Sequence, residues 1–331
     1  MRKNRKLTIK RRLIAKLHRQ TLYDPRDFLS PRRIDMVAKT VFARAHLEGN
    51  TSLWPEEVYK EHLRAFNNFY EEEPEKKGYK AFRDSFLRTI DGIRNDDSWK
   101  HKAPIIKDDK FLLNGSHRAA ASLVLNDMVN AVSATNIHSH NWNYDFFSSD
   151  RGDIKGIRDD VLDYMTIEYV TLKPKNIFAV IIFPAAEGYR QEAYEHLSSL
   201  GEIVNMKSFK HDEFIGKEVV KQLYFDSQND AWNYGNNFDG AKNKAAGCFA
   251  GMGDLQVYIL ESDMDEPKRI KEKQYLRDLW KKDKHSIHIT DTIEEANRVA
   301  RMFFNKNSRE FMKIDREREF SSDKMYNLFY E

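Results

Sequence analysis

The sequence predicts a mixed α+β and α/β chain: a helical N-terminal region leading into a short strand–turn–helix segment, then an α/β sandwich at the C-terminus. Three observations point there. Apolar residues recur at helical spacing between Ile34 and Ile93. Two short apolar runs at 105–106 and 111–113 precede a polar turn and a small-residue stretch at 119–125. From about residue 161, continuous apolar runs alternate with helical periods, which argues a layered domain with at least partly parallel strands. The division that follows is a basic arm or helix at 1–20, a helical segment plus a small α+β domain at 21–150, and an α/β domain at 151–331.

A chain of 331 residues has room for two domains. With 32% charged and 40% hydrophobic residues it has the composition of a soluble globular protein. The net charge of +3 gives no whole-protein attraction to nucleic acid. A single cysteine, Cys248, excludes an internal disulfide framework and a Cys-rich zinc site, so a reducing cytoplasm is the expected setting. No apolar run approaches the length of a membrane span, and the N-terminus lacks the apolar core of a secretory signal.

Residues 1–20 hold nine Lys or Arg and no acid, with Leu7, Ile9, Leu13, Ile14 and Leu17 interleaved. That pattern reads as a basic amphipathic helix for an anionic membrane surface, as a nucleic-acid arm, or as a solvated helix packed by one stripe. Ser30 and Pro31 have the order of a cap and a first helical residue, ahead of an apolar face of Ile34, Val37, Ala38, Val41 and Phe42. Arg32, Arg33, Asp35 and Lys39 cluster there, either to meet a substrate or as a solvated face. Pro55 opens a second helix, and Phe82, Phe86, Ile90 and Ile93 mark a third. The charges at 71–77 around Pro74 read as a loop.

The turn at 114–118 is Asn, Gly, Ser, His, Arg. It joins a strand to a helix N-terminus, where backbone N–H groups lack partners and the macrodipole is positive. Gly115 allows close approach of a ligand, Ser116 supplies a cap or a hydroxyl, and His117 and Arg118 add donors, so the turn forms an anion cradle. The same residues also satisfy an ordinary Asn-Gly turn with a serine cap.

The stretch 100–135 resembles the signature of the ParB/sulfiredoxin-like superfamily, in which a strand leads into Asp/Gly-Gly-x-His-Arg and a small-residue helix. That superfamily includes sulfiredoxin, the free serine kinases and the ParB partition proteins. In the first two, the turn and its His–Arg pair hold nucleotide phosphates. The resemblance implies a nucleotide-binding domain with Asn114, Gly115, Ser116, His117 and Arg118 at the phosphates, and His117 and Arg118 in catalysis. Asn114 stands where the kinases carry Asp, which puts a metal or catalytic role there in doubt. Ser116 stands where sulfiredoxin has its catalytic Cys, which argues against sulfiredoxin chemistry.

Beyond the turn, His138 and His140 alternate as they would on one face of a strand, either as a metal pair without a nameable third ligand or as structural histidines. Residues 148–160 are polar, with two glycines, and read as a boundary loop. In the C-terminal half, strands are expected at 177–183, 202–205, 255–260 and 286–289. Helices are expected at 189–200, 214–224, 238–249, 266–281 and 292–304. Strand ends in α/β sheets are where ligands bind. His288 is therefore a candidate catalytic residue, Arg277 and Asp291 candidate substrate contacts, and Thr290, Lys242 and Lys244 candidate neighbours. Asp291 with Glu294 also has capping-box spacing.

These features lead to an expected ATP-dependent phosphotransferase, a kinase on a small hydroxylated substrate. Its phosphates would lie at the 114–118 turn, and Mg²⁺ would accompany the nucleotide with ligands unassigned. The alternatives are a nucleotide-sensing, nucleic-acid-associated ParB-like module and a transferase whose chemistry lies in the C-terminal domain.

Overall fold

The computed structural model describes residues 20–72, 75–95, 103–107, 110–134, 140–173, 175–225, 232 and 236–315. The basic arm, and with it the expected membrane or nucleic-acid contact, lies outside them apart from Gln20. His138 also lies outside, and His140 is exposed. The fold is mixed α+β, and its contacts divide it into two units, Met1–Lys173 and Pro174–Glu331.

The first unit runs β1 (Gln20–Tyr23), α1 (Asp35–Leu47), α2 (Trp54–Asn67), β2 (Tyr70–Glu72), β3 (Glu75–Lys77), α3 (Tyr79–Asn95), β4 (Ile105–Ile106), β5 (Leu112–Asn114), α4 (Ser116–Leu125), β6 (Val129–Ser133), α5 (Tyr144–Ser148) and α6 (Asp159–Leu172). Its four-stranded sheet has the order β1-β6-β4-β5, with β4 and β6 parallel and the other pairs antiparallel. Phe42 of α1, Tyr59 of α2, Phe86 and Ile90 of α3, and Ala120 and Ala121 of α4 form one buried cluster. Each large side chain placed there contributes about 1.5–3 kcal/mol. The two alanines of α4 bring its backbone close to α1.

Three expectations for this unit are corrected. The helix expected at Pro31 begins at Asp35, and Ser30 caps nothing: its Oγ is buried without a hydrogen-bond partner among the described residues. The charged stretch contributes two antiparallel strands, Tyr70–Glu72 and Glu75–Lys77, in which Glu71 lies opposite Lys76 and pairs with it at 2.6 Å. The division between units falls after Lys173 because α6 belongs to the first unit. Glu168 of α6 pairs with Arg44 of α1 at 2.6 Å, and Lys173 donates to the Leu29 carbonyl.

The second unit runs β7 (Ile177–Ile182), α7 (Arg190–Leu200), β8 (Glu202–Phe209), α8 (Gly216–Tyr224), α9 (Asp239–Cys248), β9 (Leu255–Glu261), α10 (Glu266–Trp280), β10 (Ile287–Ile289), α11 (Ile293–Phe303) and α12 (Lys306–Met312). The sheet order is β10-β7-β9-β8, and every pair is antiparallel. The expected parallel pairing is thus corrected. β7 and β8, joined by α7, do run the same way, but β9 inserts between them and β10 flanks β7. This is the split βαβ pattern taken twice, and a strand–helix alternation in sequence is common to it and to a parallel sheet. Phe178, Val180 and Ile182 of β7 pack with Leu197 of α7 and with Leu276 and Trp280 of α10. α11 packs against β7 and β9. Among the described residues no helix is long and apolar enough to cross a membrane.

Candidate functional site: a buried charge network at the first turn of α4

Gly115 has φ 92° and occupies the N-cap position of α4, with no side-chain cap. Ser116 is therefore the first helical residue and not the cap. A Cβ at position 115 would lie 2.9 Å from Arg118 Nη2 and 2.9 Å from Pro104 Cα, so both the backbone angle and the space require glycine. The first bond of α4 runs from the Ala119 amide to the Gly115 carbonyl. The amides of Ser116, His117 and Arg118 lie ahead of it, at the positive end of the helix.

The cluster at Arg33, Asp35 and Lys39 is not a solvated face: these residues are 1%, 0% and 3% exposed. Arg33 grips Asp35 with two bonds, 2.8 and 3.0 Å, and donates Nη1 to the Leu112 carbonyl at the start of β5. Its guanidinium also lies over the Trp142 ring at 4.4 Å. Lys39 bonds Asp35 at 2.5 Å and the Ser116 hydroxyl at 2.9 Å. Burial pushes the Asp35 carboxyl up, but Arg33 and Lys39 outweigh it and hold Asp35 far below the usual carboxylate range. Burial lowers Lys39, and the Asp35 carboxylate opposes that. The network therefore carries a fixed cation to the hydroxyl of the first residue of α4.

Arg118 is half-buried as a residue, yet its Nε is shielded and has no hydrogen-bond partner among the described residues. Its pKa is lowered by desolvation, and among the described residues no carboxylate offsets that. A guanidinium with that surrounding is unfavourable without an anion. Asn114 is exposed at the end of β5, opposite Ile105.

His117 takes a different place from the donor expected of it. Its Nε2 is 2.9 Å from the Tyr59 hydroxyl, and its ring meets Phe86 edge-on at 4.6 Å. Burial, then the charge of Lys39, holds its pKa well below the ordinary value, so the imidazole is neutral. It fastens α4 to α2 and α3. His62, stacked on Phe66 at 5.8 Å, is fully buried, and both its nitrogens are unpartnered among the described residues. Sequence reasoning missed Tyr59 and His62, and it missed the bond from Lys39 to Ser116. The only signal was that Tyr59 and His62 both fall near the apolar side of α2.

In the second unit, Tyr224, Lys244 and His288 come together. His288 Nε2 bonds Glu295 at 2.8 Å, and its Nδ1 lies 3.3 Å from the Tyr224 hydroxyl. Lys244 lies over the Tyr224 ring at 5.0 Å, and Arg277 is near enough to lower the pKa of both Tyr224 and Lys244. Asp291 is exposed and pairs with Arg269 and Lys273, each at 3.2 Å. The capping expectation is shifted by one residue. Thr292 caps α11 by accepting from the Glu295 amide, and the Glu295 carboxylate accepts from the Asp291 amide at 2.7 Å. Thr290 is structural: its Oγ1 accepts from the Ala179 amide across to β7. Lys242, on α9 with Lys244, is half-buried.

No family model, curated protein or solved structure matches the chain. Among the described residues, no group of three or more His, Cys, Asp and Glu side chains is arranged to hold a metal.

Proposed function

We propose that the protein is an ATP-dependent phosphotransferase acting on a small hydroxylated substrate, with the nucleotide phosphates at the first turn of α4. The observation that carries this reading is the Arg118 guanidinium, its Nε shielded, with no offsetting carboxylate among the described residues, set against Gly115 at a helix N-terminus. The Lys39 ammonium reaches the same turn through Ser116. A phosphate there would meet the amides at 116–118, the Ser116 hydroxyl and two cations. Phosphoryl transfer asks chiefly for such positioning and charge neutralisation. The resemblance of the 114–118 turn to ParB/sulfiredoxin-like nucleotide sites agrees with it.

In this reading His117 is a positioning residue, neutral and bonded to Tyr59. Asp35 is held ionised between two cations, so it does not serve as a general base near pH 7. Mg²⁺ would arrive with ATP, held chiefly by phosphate oxygens and water, and would neutralise charge on the β- and γ-phosphates.

The test is a thermal-shift screen of nucleotides with Mg²⁺, followed by calorimetric titration. ATP or ADP should raise the melting temperature. Arg118→Ala should weaken binding at least ten-fold, since a charge-assisted contact is worth about 1.5–3 kcal/mol. Unchanged affinity in a folded Arg118→Ala protein removes the site assignment.

A further inference from the structure

The Lys39 side chain is buried, and its ammonium meets the Asp35 carboxylate at 2.5 Å, the Ser116 hydroxyl at 2.9 Å and the face of the Phe66 ring at 5.7 Å from its centre. An ammonium carries donors only, so the Ser116 oxygen accepts in that contact and its own proton points away from Lys39. Asp35, gripped by Arg33, holds the lysine in place and charged. Asp35 is fully buried and Ser116 only half-buried, so the serine hydroxyl is the polar group that carries this charge toward the surface.

The backbone sets that hydroxyl on a strand-to-helix turn. β5 ends at Asn114, Gly115 takes its left-handed φ, and Ser116 opens α4. The Arg118 guanidinium closes on the same turn, since a Cβ at Gly115 would fall 2.9 Å from its Nη2. A hydroxyl that accepts from a buried cation gives up its proton at lower cost, because the ammonium stabilises the charge that develops on the oxygen. Activation of this kind works through charge and needs no general base.

We infer that Ser116 is the nucleophile of the transfer: it takes the γ-phosphoryl group of the nucleotide, giving a phosphoseryl protein that passes the group on to the hydroxylated substrate. The inference rests on the nucleotide reading of the α4 turn. In the first step the bond from Ser116 Oγ to phosphorus forms, and the bond from phosphorus to the β–γ bridging oxygen breaks. The electron pair leaves with ADP, and the hydroxyl proton goes to water. In the second step the substrate oxygen attacks the same phosphorus. Ser116 departs as an alkoxide beside Lys39 and is reprotonated by the proton that the substrate hydroxyl gives up. Lys39 contacts the reacting oxygen in both steps, and Arg118 neutralises charge on the phosphoryl oxygens.

The test incubates the full chain with ATP and Mg²⁺ and without an acceptor. An anhydride is then exchanged for an ester, which is downhill, so the phosphoseryl form accumulates. Intact mass spectrometry should show one added phosphoryl group per chain, and fragmentation should place it on Ser116. The rate per chain should be independent of protein concentration, as transfer within one chain requires. Ser116→Ala should slow labelling by about a hundred-fold or more, while Ser116→Thr, which keeps a hydroxyl, should still be labelled at that position. If Ser116→Ala does not fold, the position mapped in the parent protein decides. A label on another residue, labelling that survives Ser116→Ala, or a rate per chain that rises with protein concentration overturns the inference. So does a chain that ATP protects against melting but does not label, and in that case the nucleotide reading stands. Absence of any thermal shift with ATP has the opposite meaning: it removes the nucleotide reading, and this inference with it.

Discussion

The Lys39 ammonium lies 2.9 Å from the Ser116 hydroxyl, joining residues 77 apart in sequence. Lys39 also carries one side of the Asp35 carboxylate, so the two residues differ in what their loss removes. Lys39→Ala leaves a fully buried carboxylate with Arg33 alone and should cost about 3–5 kcal/mol in urea unfolding. Ser116→Ala removes one acceptor from a charged donor and should cost about 1–3 kcal/mol. If Lys39→Ala unfolds at the parental urea midpoint, the ammonium is not part of a buried network.

Arg118 should behave in the opposite sense. Its guanidinium is desolvated and has no offsetting carboxylate among the described residues. Arg118→Met keeps the apolar stem and removes the charge. The ligand-free variant should therefore melt at or above the parental temperature while losing the shift produced by ATP. A variant that melts lower and still responds to ATP assigns Arg118 to the scaffold.

Gly115→Ala combines a left-handed φ of 92° with a Cβ 2.9 Å from Pro104 Cα. The backbone contact cannot swing aside, unlike the end of the Arg118 side chain. A loss of about 1–3 kcal/mol is expected from strain of this kind. Parental stability by urea denaturation would show that the turn relaxes.

His62 is buried and His117 half-buried, and the pKa values of both are held well below the ordinary one. The unfolded chain then binds a proton at each as pH falls through about 6.5, while the folded chain does not. Stability is complete above that value and is lost as pH falls toward the depressed folded pKa. The slope is about 1.4 kcal/mol per pH unit for each histidine. Asp35, depressed from 3.8, contributes above its unfolded pKa and loses that contribution only at much lower pH, so it adds no slope between pH 5 and 7. Urea titrations at pH 7.5, 6.5 and 5.5 measure this. His62→Phe should flatten the dependence by one proton, and an unaltered slope would place the His62 imidazole in contact with solvent.

Legibility in the sequence followed the range of the interactions. Helices whose face repeats locally, α2 from Pro55 and α3 along Phe82, Phe86, Ile90 and Ile93, were readable because the period and the proline act within a few residues. Gly115 and the small residues of α4 marked the strand–turn–helix for the same reason. The insertion of β9 between β7 and β8 was not readable, since the pairing of Val180 with Tyr258 involves no local signal. Nor was the burial of Arg33, Asp35 and Lys39: a charge cluster on a helix looks the same whether water or Leu112 and Ser116 complete it. At the candidate site, Gly115, Ser116 and Arg118 were legible, whereas Lys39, Tyr59 and the inward turn of His117 depend on how α1, α2 and α4 pack.

The antiparallel pairing of β8 with β9 needs only a tight turn between Phe209 and Leu255, and the chain instead spends residues 210–254 there. That excursion holds α8 and α9, and with them Tyr224 and Lys244. The ladder from Phe209↔Leu255 to Glu202↔Glu261 is closed by strand backbone alone. The excursion is nonetheless anchored, since the Cys248 carbonyl accepts from the Ala185 amide just past β7 and the Leu223 carbonyl accepts from Arg298 of α11, so a change made within it is transmitted to the far edge of the sheet.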